Sequence, residues 1–407
     1  MRLLIRIAWR NIFRNKRRSL LTIAAIAFAV FLSVWMRGLQ LGTYQQNIKN
    51  YVGLFTGYMQ IRPEGYTDKP SLRKSFKFDD DIKSLLDSLP HVQGYAPRIS
   101  TYGLIARDDK TFGAAILAVD PELEKSVSQI DDRLHEGQYL SDERIFDVVT
   151  GYKLLENLDA SIGDTVVILS SAYDGSMGNI KFRIAGTSKT GMSELDNMSV
   201  FMNIKAAKQL LYMSKVNMAA LRLEGLGAIP EVQRALRDKL PEGLIVEDWA
   251  ELLPSLKQSL EFDEVSGLIF VAILIIVVGF GILNTVLMSV TERFKEFGIM
   301  LAVGMNQWRL LGIVLFEVVF MAFLGIISGS ILGWLGNYIV SKNPIYFGGE
   351  TAELMEQFGF EPAMYAINDP GIFINYTLIV LITSFAAFIY PAVKLMNLEP
   401  LKGIRYT

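Results

Sequence analysis

His91 and His135 are the only imidazoles in the 407 residues, and cysteine is absent. Neither histidine stands beside a second residue placed as a ligand, so each reads as a surface-loop residue rather than part of a metal cluster or a serine triad. The missing thiol excludes disulfide staples, Cys-ligated zinc and thiol nucleophiles, and leaves the redox compartment undetermined. Carboxylates scatter evenly, without an acid/base pair that would mark an enzyme. No G-x-x-x-x-G-K-[ST] loop occurs, so these residues do not cradle ATP by that chemistry. What remains is charge in unusual places. "TERFKEFGIMLAVGMNQWRLLGIVLFE", Thr291 to Glu317, lies between two runs too apolar to stay in water. Glu317 itself falls inside the second of them. Exposed to lipid it would be costly, so it should face protein or lie within reach of water; a proton relay would need a second intramembrane carboxylate or histidine.

The elements that must position these residues are legible from composition. The hydrophobic fraction is 51% and the net charge −2, a mixture of lipid-embedded and water-exposed segments with no case for a nucleic-acid partner. Four apolar stretches, Ser19–Met36, Val265–Val290, Leu310–Val340 and Ile372–Val393, are each long enough to cross a roughly 30 Å hydrocarbon core. The first has no small-x-small cleavage site after it and reads as a retained anchor. The expected fold is an α-helical membrane protein of four transmembrane helices with a large mixed α+β extracytoplasmic domain between the first two. Its divisions are a basic N-terminal helix (1–18), spans at 19–41, 264–290, 309–340 and 372–393, an exterior domain (42–263), a short amphipathic helix (291–308), an exterior loop (341–371) and a tail (394–407). Arg2, Arg6, Arg10, Arg14, Lys16, Arg17 and Arg18 precede the first span, Arg293, Lys295 and Arg309 separate the second and third, and Lys394, Lys402 and Arg405 follow the fourth. The 341–371 loop is acidic, so the positive-inside rule puts both termini in the cytoplasm.

Within the exterior domain, "LFTGYMQIR", "AAILAVD", "DTVVILS", "IKFRIAG" and "MSVFMN" read as strands, and Asp80–Ser88, Lys153–Leu158, Ile204–Met213 and Pro230–Leu240 as helices. Ser170–Asn179, with Tyr173, Asp174 and Met177, is a hairpin tip. A last helix, about Trp249–Phe262, is expected to run unbroken into the second span. In the quoted stretch, Phe294, Phe297, Leu301, Met305 and Trp308 recur at helical spacing and make one apolar stripe, preceded by Glu292, Arg293, Lys295 and Glu296. That stripe suits either a partner's groove or the lipid headgroups. Gly298 and Gly304 interrupt good helix formers, which close backbone approach would explain. Gly325, Gly329 and Gly333 repeat every four residues and permit close helix packing, within one protomer or between two.

"ERFKEFGIMLAVGMNQWRLLGIVLFE" resembles the FtsX/MacB-type ABC transporter permeases, whose segment reads approximately E-R-x-x-E-I-G-x-L-R-A-x-G before a span with a glutamate. Glu292, Arg293, Glu296, Gly298, Leu301, Gly304 and Glu317 fall on that pattern, with Phe297 and Met300 departing modestly. "IAWRNIFRNKRRSLLTIAAIAFAV" is similar to the family's entry into its first span, and "YPAVKLMNLEPLKGIRY" to its exit. "VVTGYKLLENLDASIGDTVVIL" and "FRIAGTSKTGMSELDNMSVFMNIKAAKQLL" are similar to the MacB-like periplasmic core domain of the lipoprotein-releasing permeases LolC and LolE.

The resemblance implies a non-catalytic permease protomer of the bacterial inner membrane. It would pair with an identical or paralogous second protomer and with a cytoplasmic ABC ATPase, which binds the ATP and magnesium that this chain does not. Glu292–Met305, with Arg293, Phe294, Glu296, Phe297, Gly298, Met300, Leu301 and Gly304, would be the coupling helix docked on that ATPase. Phe28, Phe31, Leu32, Trp35 and Met36 with Phe262, Val265, Leu268 and Ile269 would line a cavity for acyl chains, or simply face lipid. Tyr173, Asp174 and Met177 would meet a periplasmic carrier. Three functions share this scaffold: lipoprotein release, MacB-like efflux, and FtsX-like activation of cell-wall hydrolases. Efflux pumps of the MacB type normally carry a fused N-terminal ATPase whereas this sequence opens on the permease, and the exterior domain is larger than that of FtsX.

Overall fold

The computed structural model describes residues 2–14, 16–357 and 361–397. The expected exit residues Pro400, Lys402 and Arg405 lie outside that range. The chain forms two compact units, one of residues 1–44, 259–345 and 363–407, the other of residues 45–258 and 346–362. In chain order, α1 (Arg2–Arg14) and α2 (Lys16–Tyr51) come first, then a π-turn over Val52–Thr56. The inserted unit opens with β1 (Met59–Pro63), α3 (Asp80–Asp87), β2 (Val92–Arg107), β3 (Lys110–Val119) and α4 (Pro121–Glu124). It continues with β4 (Leu134–Gly137), β5 (Asp147–Gly151), α5 (Tyr152–Asn157), β6 (Thr165–Ser171), β7 (Met177–Ser188) and α6 (Ser193–Met198). β8 (Ser199–Asn203), α7 (Ile204–Leu210), β9 (Met218–Leu223), α8 (Ile229–Arg237), β10 (Leu244–Asp248) and α9 (Trp249–Leu252) complete its main run. There follow α10 (Pro254–Glu292), α11 (Phe294–Ala302), α12 (Gln307–Lys342), α13 (Glu350–Gln357) and α14 (Pro370–Met396). Four of these helices, α2, α10, α12 and α14, are long and apolar enough to cross a membrane.

The inserted unit is built on one mixed sheet in the order β10-β1-β9-β2-β3-β8-β5-β7-β4, with β6 bridging β2 and β7. Its pairs are antiparallel except β3 with β8 and β5 with β7. The alternation expected of half-buried strands puts Ile99 and Ile105 of β2, Ile116 of β3, Ile168 of β6 and Phe182 of β7 into one core with Leu154, Leu210 and Leu236 of the flanking helices. Two sequence expectations need correcting here. "LFTGYMQIR" does not begin as strand: the helix of α2 passes into the π-turn, Gly57 stops it at φ 73° with its N–H on the Val52 carbonyl, and β1 starts only at Met59. The helix from Trp249 is also interrupted. Leu253 leaves helical geometry (φ −124°, ψ 63°), and Pro254 opens α10, where its missing N–H costs nothing.

In the apolar-helix unit, α12 lies directly on α2. A Cβ on Gly325 would come within 2.6 Å of Ile26, on Gly329 within 2.4 Å of the Ala27 carbonyl, and on Gly333 within 2.8 Å of Val34. The glycine repeat therefore serves packing inside one chain, where absent side chains let backbones touch. Val30, Val34, Val318 and Ala322 fill the seam.

Candidate functional site

The segment between α10 and α12 is held by charge. Arg293 sits between α10 and α11 with φ −105° and ψ 10°, outside the helical ladder of either, so its side chain can turn inward. Its Nη1 donates to Glu317 Oε1 at 2.8 Å and its Nε to Glu296 Oε2 at 3.0 Å, while its guanidinium lies 4.9 Å from the Phe297 ring centroid. Glu317 Oε1 also accepts from Asn11 Nδ2 at 2.6 Å. Both members of the central pair are more than nine-tenths buried. Around it, Arg14 donates to both oxygens of Glu296 at 2.8 and 3.1 Å, and Arg18 to Glu292 at 2.8 Å and to the Thr285 carbonyl. Burial works to raise the Glu296 carboxyl, but hydrogen bonds from Arg293 and Arg14 outweigh it and hold the group below its ordinary range. A polar cavity of about 30 Å³ adjoins the pair, lined by Asn11, Arg18, Ser19, Thr285, Ser289 and Glu317 among others. The carboxylate expected to face protein thus joins α1, α11 and α12 in one buried hub.

The stripe on α11 faces the opposite way from the docking surface it was expected to be. Phe294 and Phe297 are buried in the helical core, and Met300, Leu301 and Met305 pack against it. Glu292, Lys295, Glu296, Ile299, Ala302, Val303 and Trp308 are exposed instead. The reason is length: a helix of nine residues tied to its own bundle through Arg293 buries its apolar face there. Gly298 is buried with that face. Gly304 has no close neighbour; it adopts φ 95°, with the Gly304 N–H on Leu301 and the Met305 N–H on Met300. This is a Schellman stop that ends α11, so backbone approach is not its reason. Asn306 then caps α12 through the Trp308 N–H.

The nine residues expected to line an acyl cavity do not form one within the chain. Phe28, Phe262, Val265, Leu268 and Ile269 are exposed, whereas Phe31 stacks on Trp35 with centroids 5.5 Å apart and Trp35 lies against Gly336. Only Met36 and Leu268 of the nine line a separate pocket of about 370 Å³, with Leu39, Phe270, Val271 and Tyr376 as its apolar wall. Its polar rim is a network that sequence reasoning missed: Gln40 donates to the Asp263 carbonyl at 2.9 Å, Tyr44 donates to the Asp263 carboxylate, and Arg37 to Glu264 at 2.9 Å. In the hairpin, Asp174 and Met177 point outward, but Tyr173 is half-buried against the core with its N–H on the Leu211 carbonyl. Asp174 accepts from the Ser176 hydroxyl and N–H at 2.6 and 2.9 Å, which closes the tip and lowers its carboxyl pKa.

The missed partners of the hub, Asn11, Arg14 and Arg18, left a faint signal. Ala8, Asn11, Ile12 and Ser19 fall on one helical face, and an amide among them marks a place where that face meets something polar.

Comparison with known proteins identifies the scaffold. The MacB-like periplasmic core domain profile matches residues 19–239, and the FtsX-like permease C-terminal profile residues 268–400. The chain is 24% identical over 410 residues to the lipoprotein-releasing system transmembrane protein LolC of Neisseria meningitidis, covering 95% of this chain and 94% of that one. It is 24% identical over 382 residues to the macrolide export ATP-binding/permease protein MacB of Vibrio parahaemolyticus, covering 86% of this chain and 56% of that one. The crystal structure of the periplasmic region of MacB from Actinobacillus actinomycetemcomitans aligns at a TM-score of 0.37 and 16% identity, covering 53% of this chain and 98% of that structure. With two family profiles spanning most of its length around a mixed domain and four apolar helices, the chain belongs to the FtsX/MacB family of ABC transporter permeases, of the LolC/MacB type.

Proposed function

We propose that the chain is the permease subunit of an inner-membrane ABC transporter that extracts lipoproteins from the outer leaflet and passes them to a periplasmic carrier. ATP hydrolysis takes place on a separate cytoplasmic subunit, and a second permease protomer completes the membrane part. The observation that carries this reading is the end-to-end match to a LolC protein, whose name states lipoprotein release. In this arrangement α1, α11 and both termini are cytoplasmic and the inserted unit is periplasmic. The ATPase meets the exposed side of α11, Ile299, Ala302, Val303 and Trp308, because the opposite side is already occupied by the chain's own core. The buried Arg293–Glu317 pair makes that segment move with α1 and α12 as a body, which is what transmission of force requires. Acyl chains enter between protomers along the exposed face of α2 and α10 that includes Phe28, Phe262, Val265 and Ile269.

The test is the assembly of permease and ATPase in lipid nanodiscs, with an acylated lipoprotein and a soluble carrier. ATP-dependent transfer of the lipoprotein to the carrier is expected. Stimulation of ATP hydrolysis by soluble periplasmic compounds without lipoprotein release would replace this reading with efflux of the MacB type, which the second relative favours.

A further inference from the structure

α1 has two faces with different obligations. Ala8 and Ile12 are buried and Asn11 reaches Glu317, so one face is committed to the bundle. On the other, Ile5, Trp9 and Phe13 recur every four residues and are 37%, 42% and 52% exposed. Beside them run Arg6, Arg10 and Arg14 at the same spacing, all exposed, with Arg17 following at the start of α2. Arg14 is engaged by Glu296, but Arg6, Arg10 and Arg17 make no hydrogen bond or ion pair with any described residue. Water satisfies the arginine row and penalises the aromatic row beside it. A headgroup layer satisfies both, because the rings reach the acyl boundary while the guanidiniums stay at the level of the phosphates. The positive-inside rule counts charges near a span and is indifferent to their spacing. An aligned arginine row flanked by an aromatic row exceeds what topology demands.

We propose that α1 is a binding strip for anionic phospholipid, and that lipid bound there keeps the Arg293–Glu317 hub, and with it α11, in the coupled position. The inference rests on the cytoplasmic placement of α1 proposed above. Anionic rather than zwitterionic lipid is selected because the described structure supplies no counter-charge to Arg6, Arg10 and Arg17, and a net negative headgroup does. The consequence reaches α11 by two contacts from the same helix, Asn11 to Glu317 on the inner face and Arg14 to Glu296 at the end of the arginine row. α1 cannot shift on the membrane surface without breaking both.

The experiment uses the full chain with its ATPase, as wild type and as the Arg6→Gln/Arg10→Gln/Arg17→Gln variant. Retention of phosphatidylglycerol against phosphatidylcholine is read by native mass spectrometry, and the ratio of lipoprotein-stimulated to basal ATP hydrolysis in nanodiscs of each lipid. Wild type is expected to retain phosphatidylglycerol and to lose its stimulation ratio several-fold in phosphatidylcholine alone. The variant is expected to retain less and to give the same low ratio in both lipids, with an unchanged unfolding temperature because the three side chains touch no described residue. Equal phosphatidylglycerol retention by the two proteins overturns the proposal. So does a wild-type ratio insensitive to lipid, or loss of ATPase co-purification by the variant with lipid retention intact, which would assign the strip to the partner protein. Inorganic phosphate replacing the phosphatidylglycerol requirement would assign it to a soluble anion and also overturn it. Lipid retention needs no lipoprotein, so selective retention without stimulation by lipoprotein would count against the extraction reading and leave this one standing.

Discussion

Arg293 and Glu317 are each intelligible only through the other. A lone buried guanidinium or carboxylate is expensive, and removing one member of a buried pair strands its partner at a cost of roughly 3–5 kcal/mol. Glu317→Ala is therefore expected to lower stability in detergent by about that amount, measured by unfolding, with Glu317→Gln losing less because an amide oxygen still accepts from Asn11 and Arg293. Replacing the pair together, Arg293→Met with Glu317→Leu, is expected to recover most of the stability but not the coupling of ATP hydrolysis to transport, since apolar contacts do not fix α11 to α1. Recovery of coupling as well would reduce the pair to packing. His91 offers a second residue-scale test, outside the spans. Its Nδ1 lies 2.8 Å from Glu224 and its Nε2 3.7 Å from Glu231, and the hydrogen bond to Glu224 raises its pKa above the ordinary imidazole value. A raised folded pKa contributes stability that is complete below the unfolded value and fades as pH climbs through the folded one. The stability difference between wild type and His91→Asn, which tolerates the local φ of 69°, is expected to shrink with rising pH across that window.

At the scale of elements, two glycines of similar sequence setting separate sharply. A methyl on Gly329 would stand 2.4 Å from the Ala27 carbonyl, whereas one on Gly281 of α10 would meet nothing within 4 Å. Gly329→Ala is expected to cost about 1–3 kcal/mol by pushing α12 off α2, and Gly281→Ala to be neutral or to stabilise by up to about 1 kcal/mol through helix propensity. Unfolding of the two variants in one detergent checks this. α11 divides the same way: Val303→Asp should weaken stimulation of the ATPase while leaving unfolding unchanged, and Phe297→Ala should destabilise by about 3–5 kcal/mol. These contrasts show what the sequence could and could not carry. The four long helices were legible because a run of some 20 apolar residues has few alternatives. The stripe Phe294, Phe297, Leu301 was legible as a buried face, but periodicity does not say what buries it. β2 escaped because Gly94, Pro97 and Gly103 read as turns. In the sheet they are close-approach positions: a Cβ on Gly103 would fall 2.4 Å from the Leu169 carbonyl, where β2 is paired on both sides, and Pro97 stands opposite Ala219. The hub was half legible, since Glu317 stands out in its apolar run while Asn11 is an ordinary residue in a basic helix.

For the whole molecule, the argument turns on sidedness, because the coupling segment, the lipid strip and the carrier hairpin each have a function only on one side of the membrane. The arginines of α1 and the basic residues around α11 place that end in the cytoplasm, and the acidic loop after α12 places the opposite end outside. The absence of cysteine turns this into a clean measurement, since any single introduced thiol is the only one in the chain. Met177, at the hairpin, is 64% exposed, and Val303, after α11, is 84% exposed, so a thiol at either site is open to a reagent on its own side. Membrane-impermeant maleimide is expected to label Met177→Cys in right-side-out vesicles and Val303→Cys in inside-out vesicles, each becoming accessible from the other side only after detergent is added. Labelling of both sites from one side would place α11 and the inserted unit in the same compartment, and the ATPase could then not reach α11 while the hairpin met a periplasmic carrier. Reversed labelling would leave the fold untouched and invert every functional assignment made from it.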